Sequence, residues 1–257
     1  MKILICGKGG SGKSTLSVLI ARSLKNRGYR VLLVDADESN SGLHRLMDIS
    51  SPVILTDHFG GKKGAKNKME QAFSKSPFGL DISDDQKWKI ADIPKNCVTT
   101  ANGITLLTVG KIHHFGAGCA CAMGAMSKMF LANLELEKDE FVIVDTEAGV
   151  EHFGRRVEEG CDMIIGLVDP SFESFMLAEK IREMSKNAQT DVFFVLNKVE
   201  EQVKEVMYKH IASEKVIAEI PKTDEIFMAS LEGEALKTDL SETERISEFI
   251  ESRVLFH

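Results

Sequence analysis

No run of about 18 consecutive apolar residues occurs in the sequence, so a membrane-crossing helix is not expected. The apolar run behind Met1, Ile3-Leu4-Ile5-Cys6, meets glycines at once and is too short for the core of a secretory leader. Positive charge is scarce: 32 Lys and Arg face 39 Asp and Glu, a formal net charge of -7. Nucleic-acid binding needs a basic face to displace counterions, so this balance disfavours it. Cysteine is sparse and odd in number, five in all, which without an export signal argues for reduced thiols rather than a disulfide framework. No internal repeat or low-complexity tract is visible. The absences together predict a cytoplasmic chain with neither nucleic acid nor membrane as partner, in which paired cysteines are candidate metal ligands.

Hydrophobic residues make up 43% and charged residues 28% of 257 positions, enough for a sizeable core and consistent with one α/β domain. Short apolar runs recur at residues 2–6, 30–34, 104–109, 141–145, 162–168, 192–196 and 215–220. They read as continuous Val/Ile/Leu segments, as strands buried on both faces do, and they alternate with helical patterns. The expected fold is therefore a doubly wound, mostly parallel sheet flanked by helices. Leu16, Leu19, Ile20 and Leu24 fall at helical spacing, with Gly28 as a C-terminal cap. Further helices are expected near 126–134, 171–186 and 240–253. Residues 56–100 hold a cluster of Gly and Lys, then Asp81, Asp84 and Asp85, with few apolar runs, and read as an insertion or lid, or as an inert polar loop.

Gly7-Lys8-Gly9-Gly10-Ser11-Gly12-Lys13-Ser14 fits the phosphate-loop pattern G-x-x-x-x-G-K-[ST] and lies between a predicted strand and a predicted helix, where its mechanism requires it. Glycines let successive N–H groups turn around phosphate oxygens, and the following helix presents its positive end to the same anion. Lys13 is expected on the β- and γ-phosphates of ATP, Ser14 on Mg²⁺ and Thr15 near the α-phosphate.

Lys8 is not required by an ordinary phosphate loop and, taken alone, is equally a solvent-exposed loop lysine. With it, the stretch is similar to the deviant Walker A loop of the MinD/ParA/nitrogenase iron protein superfamily. That resemblance implies an ATPase that dimerises on ATP, with Lys8 contacting nucleotide across the dimer. It assigns Asp37, in Val34-Asp35-Ala36-Asp37, to orienting the attacking water, with Asp35 a neighbour. In Val144-Asp145-Thr146-Glu147-Ala148-Gly149, it puts Asp145 on Mg²⁺ through water and uses the Gly149 N–H as γ-phosphate sensor. Asn197 resembles the family's adenine-side Asn, and Ile220-Pro221 its second base-contacting loop.

Cys119-Ala120-Cys121 brings two soft thiolates together but supplies half of a four-ligand set. A two-fold homodimer supplies the other half. Either Ni²⁺ or Zn²⁺ fits such a site, and two free thiols in a tight turn are the alternative. The C-x-C and the stretch Asp145 to Gly154 resemble the CooC/AcsF branch of the superfamily. This resemblance implies a nickel-insertion ATPase whose client is carbon monoxide dehydrogenase or acetyl-CoA synthase. Rival readings are an iron–sulfur carrier or reductase like the nitrogenase iron protein, and a MinD/ParA-like spatial organiser. The acidic tail, with Glu242, Glu244, Glu248 and Glu251 against Arg245 and Arg253, disfavours an anionic membrane. Cys6 and Cys161 read as core residues and Cys97 is undecided. Of His113 and His114 at most one would face the cysteines, and these two and His152 are read as surface histidines.

Overall fold

The computed structural model describes residues 1–39, 42–58, 87–111, 121–154 and 156–254. Among them, eight strands form one sheet: β1 (Lys2–Gly7), β2 (Arg30–Asp35), β3 (Val98–Ala101), β4 (Ile104–Thr108), β5 (Glu140–Asp145), β6 (Met163–Val168), β7 (Asp191–Val199) and β8 (Val216–Pro221). Their spatial order is β3-β4-β2-β5-β1-β6-β7-β8, and every pairing is parallel except β3 with β4. All seven predicted runs are strands. β3 is additional, an edge strand of sequence Val-Thr-Thr-Ala that lacks an apolar run and returns through a turn with Asn102 and Gly103 at positive φ.

Successive strand residues face opposite sides, which divides the core in two. Ile3 and Ile5, with Leu33 and Ile143, pack beneath helices α1 (Lys13–Asn26) and α6 (Ser241–Val254). Leu4 and Cys6, with Val34 and Val144, pack beneath α2 (Cys121–Asn133) and α3 (Phe172–Ala188). α4 (Glu201–His210) follows β7, and α5 (Asp224–Glu232) follows β8. α1 ends where the sequence put it. Gly28, at φ +99°, follows the capping residue Arg27; its N–H bonds the Lys25 carbonyl, and that of Tyr29 bonds Leu24. This double closure satisfies the last carbonyls of the helix.

The polar stretch 56–100 is not polar throughout. Trp88, Ile93 and Cys97 are buried in the core, and Trp88 stacks on Phe130 of α2 with centroids 6.1 Å apart. The part between 59 and 86 lies outside the described residues. The strand order reverses at β1, and ligands of doubly wound sheets bind beyond the C-terminal strand ends at such a reversal. Gly7, Asp35, Asp145, Val168 and Asn197 all lie at or near those ends.

Candidate functional site: the loop between β1 and α1

The loop from Gly7 to Gly12 uses its glycines for backbone shape. Gly7 sits at φ +148°, and a Cβ there would stand 2.5 Å from the Leu167 carbonyl oxygen. Gly12 sits at φ +101° immediately before α1, where a Cβ would meet the Asn197 amide at 2.6 Å. The loop's outer carbonyls are tied down: Asn197 Nδ2 donates to Ser11 O at 2.7 Å and Lys198 Nζ to Gly10 O at 2.7 Å. The Lys13 side chain folds back so that Nζ donates to the Lys8 carbonyl at 3.2 Å. A buried ammonium resting on a carbonyl is poised for a stronger, anionic acceptor. The first N–H groups of α1 likewise have no acceptor within their own helix.

Acidic residues lie beside the loop. Asp145, at the end of β5, is buried and accepts from Ser14 Oγ at 2.7 Å and from Ser17 Oγ at 3.1 Å. Burial pushes its carboxyl up to about 7, against the pull of Ser14 and Lys13 and with the help of Asp35 and Asp37. A hydroxyl and a buried carboxylate in contact are a donor set suited to a hard, hydrated divalent cation. Asp35 pairs with Asp145 across β2 and β5, and burial raises it to about 6 although Lys111 Nζ lies at 2.8 Å. Asp37 Oδ1 accepts from the Ser39 N–H at 2.9 Å and its hydroxyl at 2.7 Å.

Beyond β5, Thr146 Oγ1 donates to Ile5 O at 2.8 Å, and Gly149, at φ +93°, donates its N–H to the Gly7 carbonyl at 3.2 Å. In this conformation the N–H expected to sense a phosphate is engaged by the loop itself. His152, expected on the surface, is buried at 3% exposure with its ring 4.6 Å from that of Phe153. The turn carrying it folds under the sheet because Phe153 and Val157 belong to the core. Lys8 Nζ donates to Ser171 Oγ at 3.0 Å and stands 3.7 Å from Asp169.

Two adjoining cavities frame the loop. One, about 410 Å³, is lined by Leu16, Leu19, Ile220, Pro221, Ile226 and Leu240, with Asn197 among its polar members. The other, about 500 Å³, brings Gly9, Lys13, Ser14 and Thr15 together with Asp37. Gly10, Gly12, Thr15 and Ser230 line both, so the two form a continuous trough with an apolar and a polar half. Residues absent from the sequence reading also take part. Lys198 could have been suspected from its place beside Asn197 and Asp169 from its strand end, but nothing in the sequence marks Lys111 or α5.

Cys119, His113, His114 and the side chain of Cys121 lie outside the described residues, although α2 starts at Cys121. Cys6, Cys97 and Cys161 are buried free thiols, and burial pushes Cys6 up to about 12 and raises Cys161 as well. Such thiols stay protonated and are poor ligands. Among the described residues, no three His, Cys, Asp or Glu side chains gather to hold a metal, and no helix is long and apolar enough to cross a membrane.

A parallel sheet with a glycine-rich loop at its switch point, a lysine and a serine heading the next helix and an aspartate ending the neighbouring strand define a P-loop nucleotide-binding protein. Residues 2–236 match the model of the CobQ/CobB/MinD/ParA nucleotide binding domain, and the chain belongs to that family. It is 42% identical to an uncharacterized ATP-binding protein of Methanocaldococcus jannaschii over 97% of this chain and 99% of that one. It is 32% identical to the carbon monoxide dehydrogenase accessory protein CooC of Rhodospirillum rubrum over 73% of this chain and 70% of that one. Among solved structures, the septum site-determining protein MinD of Pyrococcus horikoshii with Mg-ADP superposes with a TM-score of 0.71 at 16% identity. That match covers 98% of this chain and 96% of that one, and shows the shared fold. The chain is an ATPase of this family.

Proposed function

We propose that this ATPase dimerises on ATP and delivers nickel to a carbon monoxide dehydrogenase or acetyl-CoA synthase. The carrying observation is the coincidence, in one chain, of the sequence Cys119-Ala120-Cys121, whose last residue begins α2, with 32% identity to a carbon monoxide dehydrogenase accessory protein. Two thiolates per chain make an open, weak site, whereas four across a two-fold axis close one for Ni²⁺ or Zn²⁺.

Within each subunit the trough orients the nucleotide. The apolar half takes the base. Because Asn197 donates its amide nitrogen to Ser11, its oxygen is left as an acceptor suited to the amino group of adenine. Lys13 exchanges the Lys8 carbonyl for phosphate oxygens, and the α1 N-terminus adds its N–H groups. Ser14 directly and Asp145 through water would hold Mg²⁺, which would neutralise charge on the phosphates. Asp37 orients the attacking water, and Lys8 reaches the partner's nucleotide. Gly7, Gly9, Gly10, Ser11 and Gly12 give the loop its shape, Thr15 serves the α-phosphate, Gly149 the γ-phosphate, and Ile220 and Pro221 the base.

Anaerobic titration with Ni²⁺ or Zn²⁺, read by native mass measurement, tests the metal assignment. One ion per dimer in the wild type, lost in Cys119→Ser/Cys121→Ser, is expected. One ion per monomer, or undiminished binding in the mutant, overturns the shared site. A visible iron–sulfur chromophore after anaerobic reconstitution, with no nickel uptake, replaces it with an iron–sulfur carrier.

A further inference from the structure

We infer that Lys111 is a positioning residue for ATP hydrolysis, holding the exit of β2 so that Asp37 faces the phosphate cavity. The inference rests on the reading of Asp37 as the residue that orients water.

Lys111 lies three residues beyond the end of β4, the strand that pairs with β2 up to Asp35 and Thr108. Its amine comes back over the end of β2. There it donates both to Asp35 Oδ1, at 2.8 Å, and to the carbonyl of Asp37. Between these two anchors, Ala36 donates its N–H to the Asp145 carbonyl at 2.9 Å. Residues 35–37 are thus held at both ends and in the middle, just before the chain releases the Asp37 side chain toward Lys13 and Ser14.

The Lys111 and Asp35 side chains are 7% and 4% exposed, so the pair is almost wholly desolvated. Burying two opposite charges is a poor way to gain stability, because an apolar pair of similar volume does as well or better. What an apolar pair would lack is a donor for the Asp37 carbonyl. Charge compensation of Asp35 explains one of the two bonds made by Lys111; fixing the backbone of Asp37 explains the other. Water-orienting groups act through geometry, and a displacement of about 1 Å can cost about 100-fold in rate while ground-state binding persists.

The test compares steady-state kinetics and thermal melting of Lys111→Met, Lys111→Met/Asp35→Asn, Lys111→Arg and Asp37→Asn. The double variant removes both charges together and guards against misfolding; either Met variant that folds carries the test. The expected result is a fall in kcat of about 100-fold with the KM for ATP unchanged. Lys111→Arg, which keeps charge and donors, is expected to regain most of the turnover. Asp37→Asn with slow turnover beside a folded Met variant within twofold of wild type overturns the role of Lys111 and leaves that of Asp37. Wild-type turnover in Asp37→Asn overturns both. A raised KM with matched falls in kcat and melting temperature that Arg does not rescue assigns Lys111 to the fold alone.

Discussion

Lys8 donates to the Ser171 hydroxyl at 3.0 Å, and that hydroxyl donates in turn to Asp169 at 2.7 Å, so the loop lysine is held within its own subunit. A lysine that serves a partner's nucleotide must first leave this acceptor pair. Asp169→Asn is therefore expected to favour ATP-driven dimerisation and shift it to lower protein concentration, by roughly threefold to tenfold for a partly exposed ion pair of 1 kcal/mol or so. Lys8→Ala is expected to abolish it while leaving ADP affinity intact. Light scattering with a non-hydrolysable ATP analogue reads both, and a Lys8→Ala protein that dimerises like wild type refutes the cross-subunit role.

Lys13→Ala deletes the ammonium that rests on the Lys8 carbonyl without touching the sheet. ATP affinity is expected to fall by about 100-fold or more, the cost of roughly 3 kcal/mol for a charge-assisted contact to phosphate. Calorimetric titration in the presence of Mg²⁺ measures it, with circular dichroism reporting an unchanged fold.

Glu158 supplies a pH dependence away from the nucleotide. It is buried at 3% exposure, its Oε2 has no hydrogen-bond partner among the described residues, and burial pushes its carboxyl from an ordinary 4.5 up to about 7. Between those values the folded chain holds a proton that the unfolded chain has lost. Its contribution to stability is therefore complete below pH 4.5 and is lost as pH rises to about 7. Glu158→Gln removes the ionisation and is expected to stabilise the protein at pH 8 by about 2 kcal/mol, with a smaller or no gain at pH 4.5. Urea denaturation at the two pH values is the measurement, and equal gains at both would contradict the assignment.

Gly12→Ala combines a φ of +101° with a Cβ only 2.6 Å from the Asn197 amide. A loss of about 1–3 kcal/mol is expected from the backbone alone. Because Asn197 must also move, adenine nucleotides are expected to lose affinity more than inorganic triphosphate does. Thermal melts and competition titrations separate the two effects.

The sheet was legible in the sequence because six of its strands are largely buried on both faces and had to be written as apolar runs, and the edge strand β8 still sends Ala218 and Ile220 into the core. β3 was not, since an edge strand half open to solvent can be Val-Thr-Thr-Ala. The phosphate loop was legible because its glycines are required by backbone geometry, as Gly7 and Gly12 show. Lys111 was invisible for the opposite reason: a charged side chain after a strand looks the same whether it meets water or a buried partner 76 residues away, as Lys111 meets Asp35. His152 was misplaced by the same ambiguity. Its neighbour Phe153 was the better guide, because an aromatic on a short turn needs a core to enter.

The bond from Gly149 to Gly7 occupies the N–H that the proposed function gives to the terminal phosphate. In that reading an incoming terminal phosphate offers the same proton another oxygen, so the two acceptors compete, and the exchange trades one hydrogen bond for another. The phosphate oxygen is the stronger acceptor, so the exchange favours the bound nucleotide for as long as its terminal phosphate is present. Loss of the terminal phosphate would then let the loop carbonyl reclaim its donor, resetting the β5 exit without any further input of energy.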